Sequence, residues 1–180
     1  SSGVPVIEFT DGPIWPDYQT DLLLDQNLGA EKQIYEIAEH TRELKGVKYA
    51  CLAPQFIEQS GGVRSTSGET LNVLVSMGGA DPQNATVTIL NVLLAIDESM
   101  NLTVTVGISN PQQNEIAELM GQFPNGRVLV DAQNMSELMA SSDIAIVAAG
   151  STSWELAFMG VPGLLTSVAD NQVRIAEQLH

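Results

Sequence analysis

Cysteine, positive charge and long apolar runs are all scarce in this 180-residue chain. Its single cysteine, Cys51, excludes an intramolecular disulfide framework and suits a reducing cytoplasm, where we expect the protein to reside. Seven basic residues against 22 acidic ones leave a formal net charge of −15, which argues against nucleic-acid and anionic-membrane partners. The longest apolar stretches have only the length of a strand, so no membrane insertion is predicted.

Common catalytic and cofactor motifs are missing as well. No lysine follows a glycine-rich loop as in a Walker motif, and no G-x-G-x-x-G fingerprint occurs, which disfavours ATP and NAD and leaves no cofactor predicted. No catalytic triad and no cluster of metal ligands is recognised. The two histidines are poor candidates for a base, because His40 falls on the exposed face of a predicted helix and His180 at the chain end.

What the chain does have is an alternation of short apolar runs with helical patterns, which predicts a parallel sheet covered by helices. Apolar residues make up 44% of it, as in ordinary α/β proteins. The predicted fold class is therefore α/β, with a Rossmann-like, doubly wound parallel sheet. A polar, Gly/Ser-rich run interrupts the alternation and predicts a linker at 61–70. We expect 1–60 to be the C-terminal remnant of a first Rossmann-like domain and 71–180 to be a second one, without its last helices.

The apolar patterns also predict the individual elements. In the first segment, strands are predicted at 4–9, 21–24 and 47–52, and a helix at 30–45. After the linker, strands are predicted at 71–76, 102–107, 128–130, 143–148 and 161–166, and helices at 83–96, 111–120, 135–140, 151–159 and 171–179. Trp154, Leu156 and Phe158 are predicted to belong to the core.

Two loops rich in small residues follow predicted strands of the second domain. The first contains Gly78 and Gly79, and the second contains Gly150, Ser151 and Thr152. Ligands of open α/β sheets bind outside the carboxyl ends of the strands, and glycines there let the backbone approach a phosphate. Gly78 and Gly79 alone are more simply explained as a tight turn, but the second loop favours the ligand interpretation.

The helix predicted to begin at Ser151 offers free backbone N–H groups and the positive end of its dipole, which suit a phosphate. Glu155 is placed to accept hydrogen bonds from sugar hydroxyls, although an acid that complements the helix dipole is an alternative explanation. Asp170, Asn171 and Gln172 also suit sugar hydroxyls, while Asp170 has the alternative role of capping the last helix. These residues together predict a site for a nucleotide diphosphate.

Six short segments occur in an order that is more specific than any one of them. They are DLLLDQN at 21–27, YACLAPQF at 49–56, GGADP at 78–82, AGSTSWEL at 149–156, GVP at 160–162 and ADNQ at 169–172. This order resembles the UDP-sugar hydrolase of pseudaminic acid biosynthesis and its relative, the spore-coat polysaccharide biosynthesis protein G. The resemblance covers nearly the whole chain. More distantly, the chain is similar to GT-B glycosyltransferases of the lipid II N-acetylglucosaminyl transferase type.

The resemblance implies two Rossmann-like domains that face each other across a cleft, with UDP held mainly by the second. Carried onto this chain, it implies that Gly78 and Gly79 approach the diphosphate. It further implies that Ser151 and Thr152, in the loop that Gly150 opens, bind the diphosphate through N–H and hydroxyl groups. The expected partner is therefore UDP or a UDP-sugar.

For the rest of the ligand, the resemblance implies that Glu155 holds the ribose and that Val130 and Met135 lie near the uracil. Asn171 and Gln172 would face the sugar. The implied reaction is hydrolysis at the anomeric carbon of a UDP-linked amino sugar, in surface-polysaccharide or nonulosonic acid biosynthesis. Water attacks and UDP leaves, helped by backbone dipoles that stabilise the charge developing on its phosphate.

The sequence departs from the family pattern in ways that bear on catalysis. The family carries its catalytic histidine in an N-terminal Gly-x-Gly-His-x-x-Arg loop, which is not found here, so no catalytic residue is assigned. Ala53 stands where relatives usually carry arginine, and residues 8–15 match poorly, which suggests a different sugar specificity. We therefore expect a fragment that binds the nucleotide and is inactive on its own.

Two other functions stay open on the sequence alone. A GT-B glycosyltransferase would use the same UDP-sugar donor site and pass the sugar to an acceptor. A non-catalytic module that binds a nucleotide sugar would need no base, because fold does not determine function. Neither the sugar nor the oligomeric state is predicted.

Overall fold

Two parallel β-sheets, each in a unit of its own, form the framework of the chain in a computed structural model. The structure describes residues 3–59, 70–96 and 99–179, without the side chains of residues 170, 171 and 174. One unit comprises Ser1–Cys51 with Glu177–His180, and the other comprises Leu52–Ala176. The predicted linker lies outside the described residues except for Thr70, and the predicted domain limits stay a prediction.

The first unit is built on three short strands, β1 (Ile7–Phe9), β2 (Leu22–Asp25) and β3 (Arg42–Lys45), paired in that order. Tyr18 and Tyr35 form most of its small core, with ring centroids 5.8 Å apart in an edge-to-face arrangement. The Tyr35 hydroxyl donates a hydrogen bond to the buried carboxylate of Asp25 at the end of β2. This unit therefore orders its loops around aromatic and polar contacts rather than around a large apolar core.

The helix predicted at 30–45 is wrong. Only Ala30–Lys32 forms a short 3-10 turn, after which the chain runs extended, bridges Tyr18 through Ile37 and enters β3. Ile34, which would lie on the apolar face of such a helix, is 83% exposed. Pairing of this segment with neighbouring strands therefore overrides the helical period in its sequence.

The strand predicted at 47–52 is wrong as well. Val47–Tyr49 forms a 3-10 turn, because Gly46 precedes it with a φ of 96° that turns the chain out of the sheet. His40 is exposed, as expected, but it lies in a turn rather than on a helix.

The second unit alternates strands and helices from beginning to end. Its strands are β4 (Leu71–Ser76), β5 (Met100–Val106), β6 (Gly126–Val130), β7 (Ile144–Ala148) and β8 (Gly163–Thr166). Its helices are α1 (Pro54–Gln59), α2 (Ala85–Ala95), α3 (Gln113–Met120), α4 (Met135–Ala140), α5 (Ser151–Met159) and α6 (Asp170–Leu179), whose last residues belong to the first unit. Every predicted element of this region is confirmed to within a few residues, and α1 is an addition.

The five strands pair in the order β6-β5-β4-β7-β8, all parallel. The chain thus winds outward from β4 in one direction and then crosses back to β7 on the other side, which is the doubly wound, Rossmann-like arrangement predicted. Among the described residues, no helix combines the length and apolar character needed to span a membrane.

Each face of this sheet carries its own apolar core. Val73 and Val75 of β4 point to one face and pack with α2 and α3, whereas Leu74 points to the other and packs with α1, α4 and α5. Leu156 and Trp154 of α5 are buried as predicted, but Phe158 is 43% exposed and does not belong to the core. The two-sided burial explains why β4 reads as a continuous apolar run.

Candidate functional site

A pocket of about 190 Å³ opens at the carboxyl ends of β4, β5 and β6, next to α4 and α5. Small side chains and backbone form much of its wall, which consists of Ser76, Gly78, Gly79, Thr105, Val106, Gly107, Asp131, Ala132, Met135, Thr152 and Glu155. The loops after β4 and β7 diverge here, because the winding of the chain reverses between these neighbouring strands. Since no Lys, Arg or His is among the lining residues, an anion in this pocket would depend on backbone N–H groups and helix dipoles.

The pocket brings together five of the ten predicted site residues. Gly78 and Gly79 come from the loop after β4, Met135 begins α4, and Thr152 and Glu155 come from the first two turns of α5. They are up to 77 residues apart in the sequence, yet they meet in one concave surface.

The other predicted residues flank the pocket or lie outside the description. Gly150 and Ser151 directly precede Thr152, and Val130 ends β6 and is 50% exposed. The side chain of Asn171 lies outside the described residues. The Gln172 amide approaches the second loop: its Oε1 accepts from the Val168 N–H at 2.9 Å, and its Nε2 would lie 3.8 Å from a Cβ on Gly150.

The loop after β4 presents bare backbone to the pocket. Gly78 has a φ of 84°, a conformation that favours glycine. Gly79 has no such constraint, and a Cβ in ideal geometry on it would meet no atom of the described residues within 4 Å. The packing of the protein itself therefore does not require glycine at position 79, and the space in front of this residue is free for a ligand.

The N-terminus of α5 is open. Its N-cap position is Gly150, no described side chain caps the helix, and no acidic residue stands in its first turn. The first N–H groups of a helix have no i−4 partner within the helix. Those of Ser151 and Thr152 have no partner among the described residues and are available to a ligand, whereas that of Ser153 donates to the Gly150 carbonyl oxygen at 3.0 Å. The three hydroxyls at its start differ in accessibility, because Ser151 is exposed, Thr152 lines the pocket, and Ser153 is buried.

The N-terminus of α2, which follows the first loop, is closed by its own sequence. The carboxylate of Asp81 accepts hydrogen bonds from the N–H groups of Ala85, at 2.9 Å, and Thr86, at 2.8 Å. Asp81 is buried, and its φ of 41° is one that Asp tolerates better than most residues. This helix therefore has its positive end neutralised from within.

Glu155 is the half-buried carboxylate of the pocket. It lies in the second turn of α5, so its alternative explanation as a first-turn acid does not apply. Its side chain has no hydrogen-bond partner among the described residues, and burial raises the pKa of its carboxyl above the usual value. A desolvated carboxylate without a partner is suited to accept hydrogen bonds from a ligand's hydroxyl groups.

Six of the eleven lining residues were not predicted from the sequence, namely Ser76, Thr105, Val106, Gly107, Asp131 and Ala132. Gly107 follows β5, although the strand predicted at 102–107 included it, and a glycine at the end of a predicted strand was a usable signal. Asp131 and Ala132 follow β6 without such a signal, although Asp131 adopts a φ of 52° that is uncommon outside glycine. Among the described residues, no group of three or more His, Cys, Asp or Glu is arranged to hold a metal ion.

Comparison with known proteins adds relatives of modest identity. No model of a protein family matches the chain. An uncharacterized protein of Methanocaldococcus jannaschii is 29% identical over 150 residues, which cover 79% of the chain and 31% of that protein. The spore coat polysaccharide biosynthesis protein SpsG of Bacillus subtilis is 26% identical over 163 residues, which cover 88% of the chain and 47% of SpsG.

A third relative carries a named activity. The UDP-2,4-diacetamido-2,4,6-trideoxy-beta-L-altropyranose hydrolase of Campylobacter jejuni is 25% identical over 152 residues, which cover 83% of the chain and 53% of that enzyme. The chain thus spans about a third to a half of the length of these relatives.

Among solved structures, the crystal structure of Acinetobacter baumannii MurG matches with a TM-score of 0.63 over 98% of the chain and 51% of MurG. At 15% identity this likeness concerns the fold. The chain has a GT-B-like, Rossmann-like fold. Its relatives by sequence include a protein of polysaccharide biosynthesis and a UDP-sugar hydrolase.

Proposed function

We propose that this chain binds a UDP-sugar in the pocket at the ends of β4, β5 and β6. In this proposal it supplies the nucleotide-binding part of a cytoplasmic hydrolase that releases UDP from a UDP-linked amino sugar, in surface-polysaccharide or nonulosonic acid biosynthesis. One observation carries the proposal: the open N-terminus of α5, the bare backbone of Gly79 and the unpartnered carboxylate of Glu155 border the same pocket. The hydrolase relative supports the choice of ligand.

The diphosphate is assigned to the side of the pocket between the two small-residue loops. The N–H groups at the start of α5, near Ser151 and Thr152, provide the positive end of a helix dipole. Gly78 and Gly79 allow the backbone of the opposite loop to come within hydrogen-bond distance of phosphate oxygens. This arrangement compensates for the absence of lysine and arginine from the described lining of the pocket, in a chain of net charge −15.

The nucleoside is assigned to the other side of the pocket. Glu155 accepts hydrogen bonds from the ribose hydroxyls, which a carboxylate does more strongly than a neutral acceptor. Met135 and Ala132, which line the pocket, and the half-exposed Val130 at the end of β6 provide apolar surface for the uracil. Asn171 and Gln172 remain our assignment for the sugar. The Gln172 Oε1 already accepts from the Val168 N–H, which leaves the Nε2 amide as the group that we expect to donate to the sugar.

The proposed reaction uses the same groups to stabilise the departing UDP. Water attacks the anomeric carbon, the bond from that carbon to the phosphate oxygen breaks, and negative charge develops on the diphosphate. Preorganised N–H groups at the α5 N-terminus and the Gly78 loop stabilise this charge without reorganising. The base that takes the proton from water is assigned to no residue of this chain, so we expect it to bind UDP without hydrolysing a UDP-sugar.

Calorimetry with UDP and with uridine tests the proposal on the chain itself. We expect UDP to bind with a Kd on the order of 1 mM or tighter, and uridine to bind more weakly because it lacks the diphosphate. Glu155→Gln should weaken both ligands, whereas Glu118→Gln, which alters an exposed glutamate of α3, should weaken neither. Absence of a binding signal with millimolar UDP would contradict the proposal.

A GT-B glycosyltransferase is the second candidate, and the GT-B-like fold is the observation that favours it. Both enzymes would use the same UDP-sugar site. Incubation of the full-length protein with a UDP-sugar, with and without an acceptor, separates them. A hydrolase releases free sugar without an acceptor, while a transferase needs one.

A further inference from the structure

The loop after β5 is in very close contact with the loop after β4. A Cβ in ideal geometry on Gly107 would lie 2.1 Å from the carbonyl oxygen of Gly79, 2.5 Å from its Cα and 2.6 Å from its carbonyl carbon. Any side chain at position 107 must therefore push the Gly79 backbone away. The φ of Gly107 lies outside the left-handed region, so it is space and not backbone conformation that requires glycine here.

Hydrogen bonds hold the loop after β5 in place against the loop after β4. The Gly107 carbonyl accepts from the backbone N–H of Asn110 and from Nε2 of Gln113, both at 3.1 Å. Gln113 is the first residue of α3, so the loop is attached directly to a helix. On the other side, the Ser109 hydroxyl lies 3.4 Å from the Gly79 carbonyl oxygen and donates to it. The contact between the two loops is therefore supported on both sides.

This contact determines how far the Gly79 backbone projects into the pocket. An ideal Cβ on Gly79 would meet no atom within 4 Å in the part of the chain that the structure describes. Backbone N–H groups bind an oxygen well only at about 2.7–3.2 Å, so a shift of about 1 Å removes the hydrogen bond. The loop after β5 thus acts on a ligand through the loop after β4.

We propose that Gly107 is a positioning residue for the diphosphate. Because Gly107 has no side chain, the backbone of Gly78 and Gly79 can pack directly against the loop after β5. In that position the N–H groups of Gly78 and Gly79 reach the phosphate oxygens. The inference rests on the proposed binding of UDP in this pocket. It adds a third glycine to the site, one whose role is to set the place of the other two.

Titration of the chain and of Gly107→Ala with UDP and with uridine tests this role. We expect the affinity for UDP to fall about tenfold, which corresponds to the loss of roughly one hydrogen bond to a charged oxygen. The affinity for uridine, which carries no phosphate, should change by less than about twofold. An unchanged affinity for UDP, or an equal loss for both ligands, would overturn the proposal.

Gly126→Ala is the matched control, because it crowds a glycine at the other edge of the sheet. Gly126 is the first residue of β6, and a Cβ on it would lie 2.9 Å from Met120 Cε and 2.9 Å from Phe123 Cβ. We expect this variant to lower stability and to leave the ratio of UDP to uridine affinity unchanged. If it alters that ratio as much as Gly107→Ala does, the effect is general loosening and the positioning role is refuted.

Gln113→Met gives a second variant without crowding. It removes one of the two donors to the Gly107 carbonyl and leaves the Asn110 N–H in place, so we expect a smaller loss of UDP affinity, about threefold, and again none for uridine. The amide resonances of Gly78 and Gly79 provide a readout without ligand, and they should shift in Gly107→Ala but not in Gly126→Ala. Failure of the wild-type chain to bind UDP would refute the proposed function, whereas unmoved resonances in Gly107→Ala would refute the positioning itself.

Discussion

Helices α2 and α5 both follow a parallel strand and a small-residue loop, yet they begin in opposite ways. Asp81 supplies α2 with a buried carboxylate that accepts from two of its first N–H groups. Gly150 supplies α5 with no side chain at all, so the N–H groups of Ser151 and Thr152 have no partner among the described residues. A helix N-terminus attracts a ligand's anion only where the chain has not provided an anion of its own. This difference places the phosphate site at α5 rather than at α2 in our proposal.

Making α5 begin like α2 should have the largest effect on binding. Gly150→Asp introduces a carboxylate where we place the diphosphate, and like charges so close cost several kcal/mol. We expect UDP affinity to fall by about a hundredfold or more, while the added cap stabilises the helix by a few tenths of a kcal/mol. Calorimetry and urea denaturation measure the two effects.

Gly150→Asn is the control for this variant, since it caps the helix without adding charge. A side chain at this position has room, because an ideal Cβ is no closer than 3.8 Å to Gln172 Nε2. It should retain clearly more affinity than Gly150→Asp. Equal losses in the two variants would show that bulk and not charge is responsible.

Making α2 begin like α5 should affect stability instead. Asp81→Ala removes the cap of α2 and places Ala at a φ of 41° that it tolerates poorly. We expect the free energy of unfolding to drop by about 1–2 kcal/mol or somewhat more, measured by urea denaturation. Asp81→Asn, which keeps an acceptor and tolerates this φ, should cost less. A loss-free Asp81→Ala would mean that the cap contributes nothing to stability.

Gly79→Ala tests whether glycine at position 79 is needed for binding the ligand or for the stability of the fold. The Cβ meets open space and φ is ordinary, so we expect a change in stability within about 0.5 kcal/mol. If the diphosphate approaches this backbone as proposed, the methyl group intrudes on it and UDP affinity falls about tenfold. Calorimetry checks this expectation, and full retention of UDP affinity would contradict the assignment of the diphosphate to this loop.

Glu155→Gln should have the smallest effect, a few-fold loss of UDP and uridine affinity at pH 7. Because burial raises the pKa of the Glu155 carboxyl, the wild-type chain should lose affinity as the pH falls through that raised pKa. The affinity of the glutamine variant should stay flat over the same range. A parallel decline in both proteins would assign the pH dependence to another group.

The stability of the wild-type chain should depend on pH in the opposite way to its affinity for UDP. A raised pKa means that the folded state holds the Glu155 proton more tightly than the unfolded chain. The free energy of unfolding therefore decreases as the pH rises from the unfolded pKa through the folded one. Glu155→Gln removes this decrease, so its Tm should exceed that of the wild type at pH 7 and approach it in acid. Scanning calorimetry at several pH values measures the difference.

Prediction from sequence succeeded where local pattern and global fold agree. In the second unit, apolar strands such as β4 and β7 are buried on both faces, so their composition alone distinguishes them from the amphipathic helices between them. In the first unit, residues 30–45 carry a helical period but are held extended by pairing with Tyr18 and with β2. Such pairing depends on residues distant in the sequence, and a local pattern does not contain it.

The candidate site divides in the same way. The loops at Gly78 and at Gly150 are recognisable because glycines and hydroxyls follow strands directly. Asp81 caps α2 because a left-handed turn brings its carboxylate back to the N–H groups of Ala85 and Thr86. The difference between this capped helix and the open α5 therefore appears only in three dimensions.

By itself, the sequence determined the α/β class, the strands of the second unit and the small-residue loops that end two of them, because burial and backbone freedom restrict which residues fit there. Only the tertiary structure decided that Gly107 supports Gly79 and that Thr152 and Glu155 share a pocket with both. The physical reason is that parallel strands bring loops that are distant in the sequence to the same edge of the sheet. Close packing there fixes the distances between these loops.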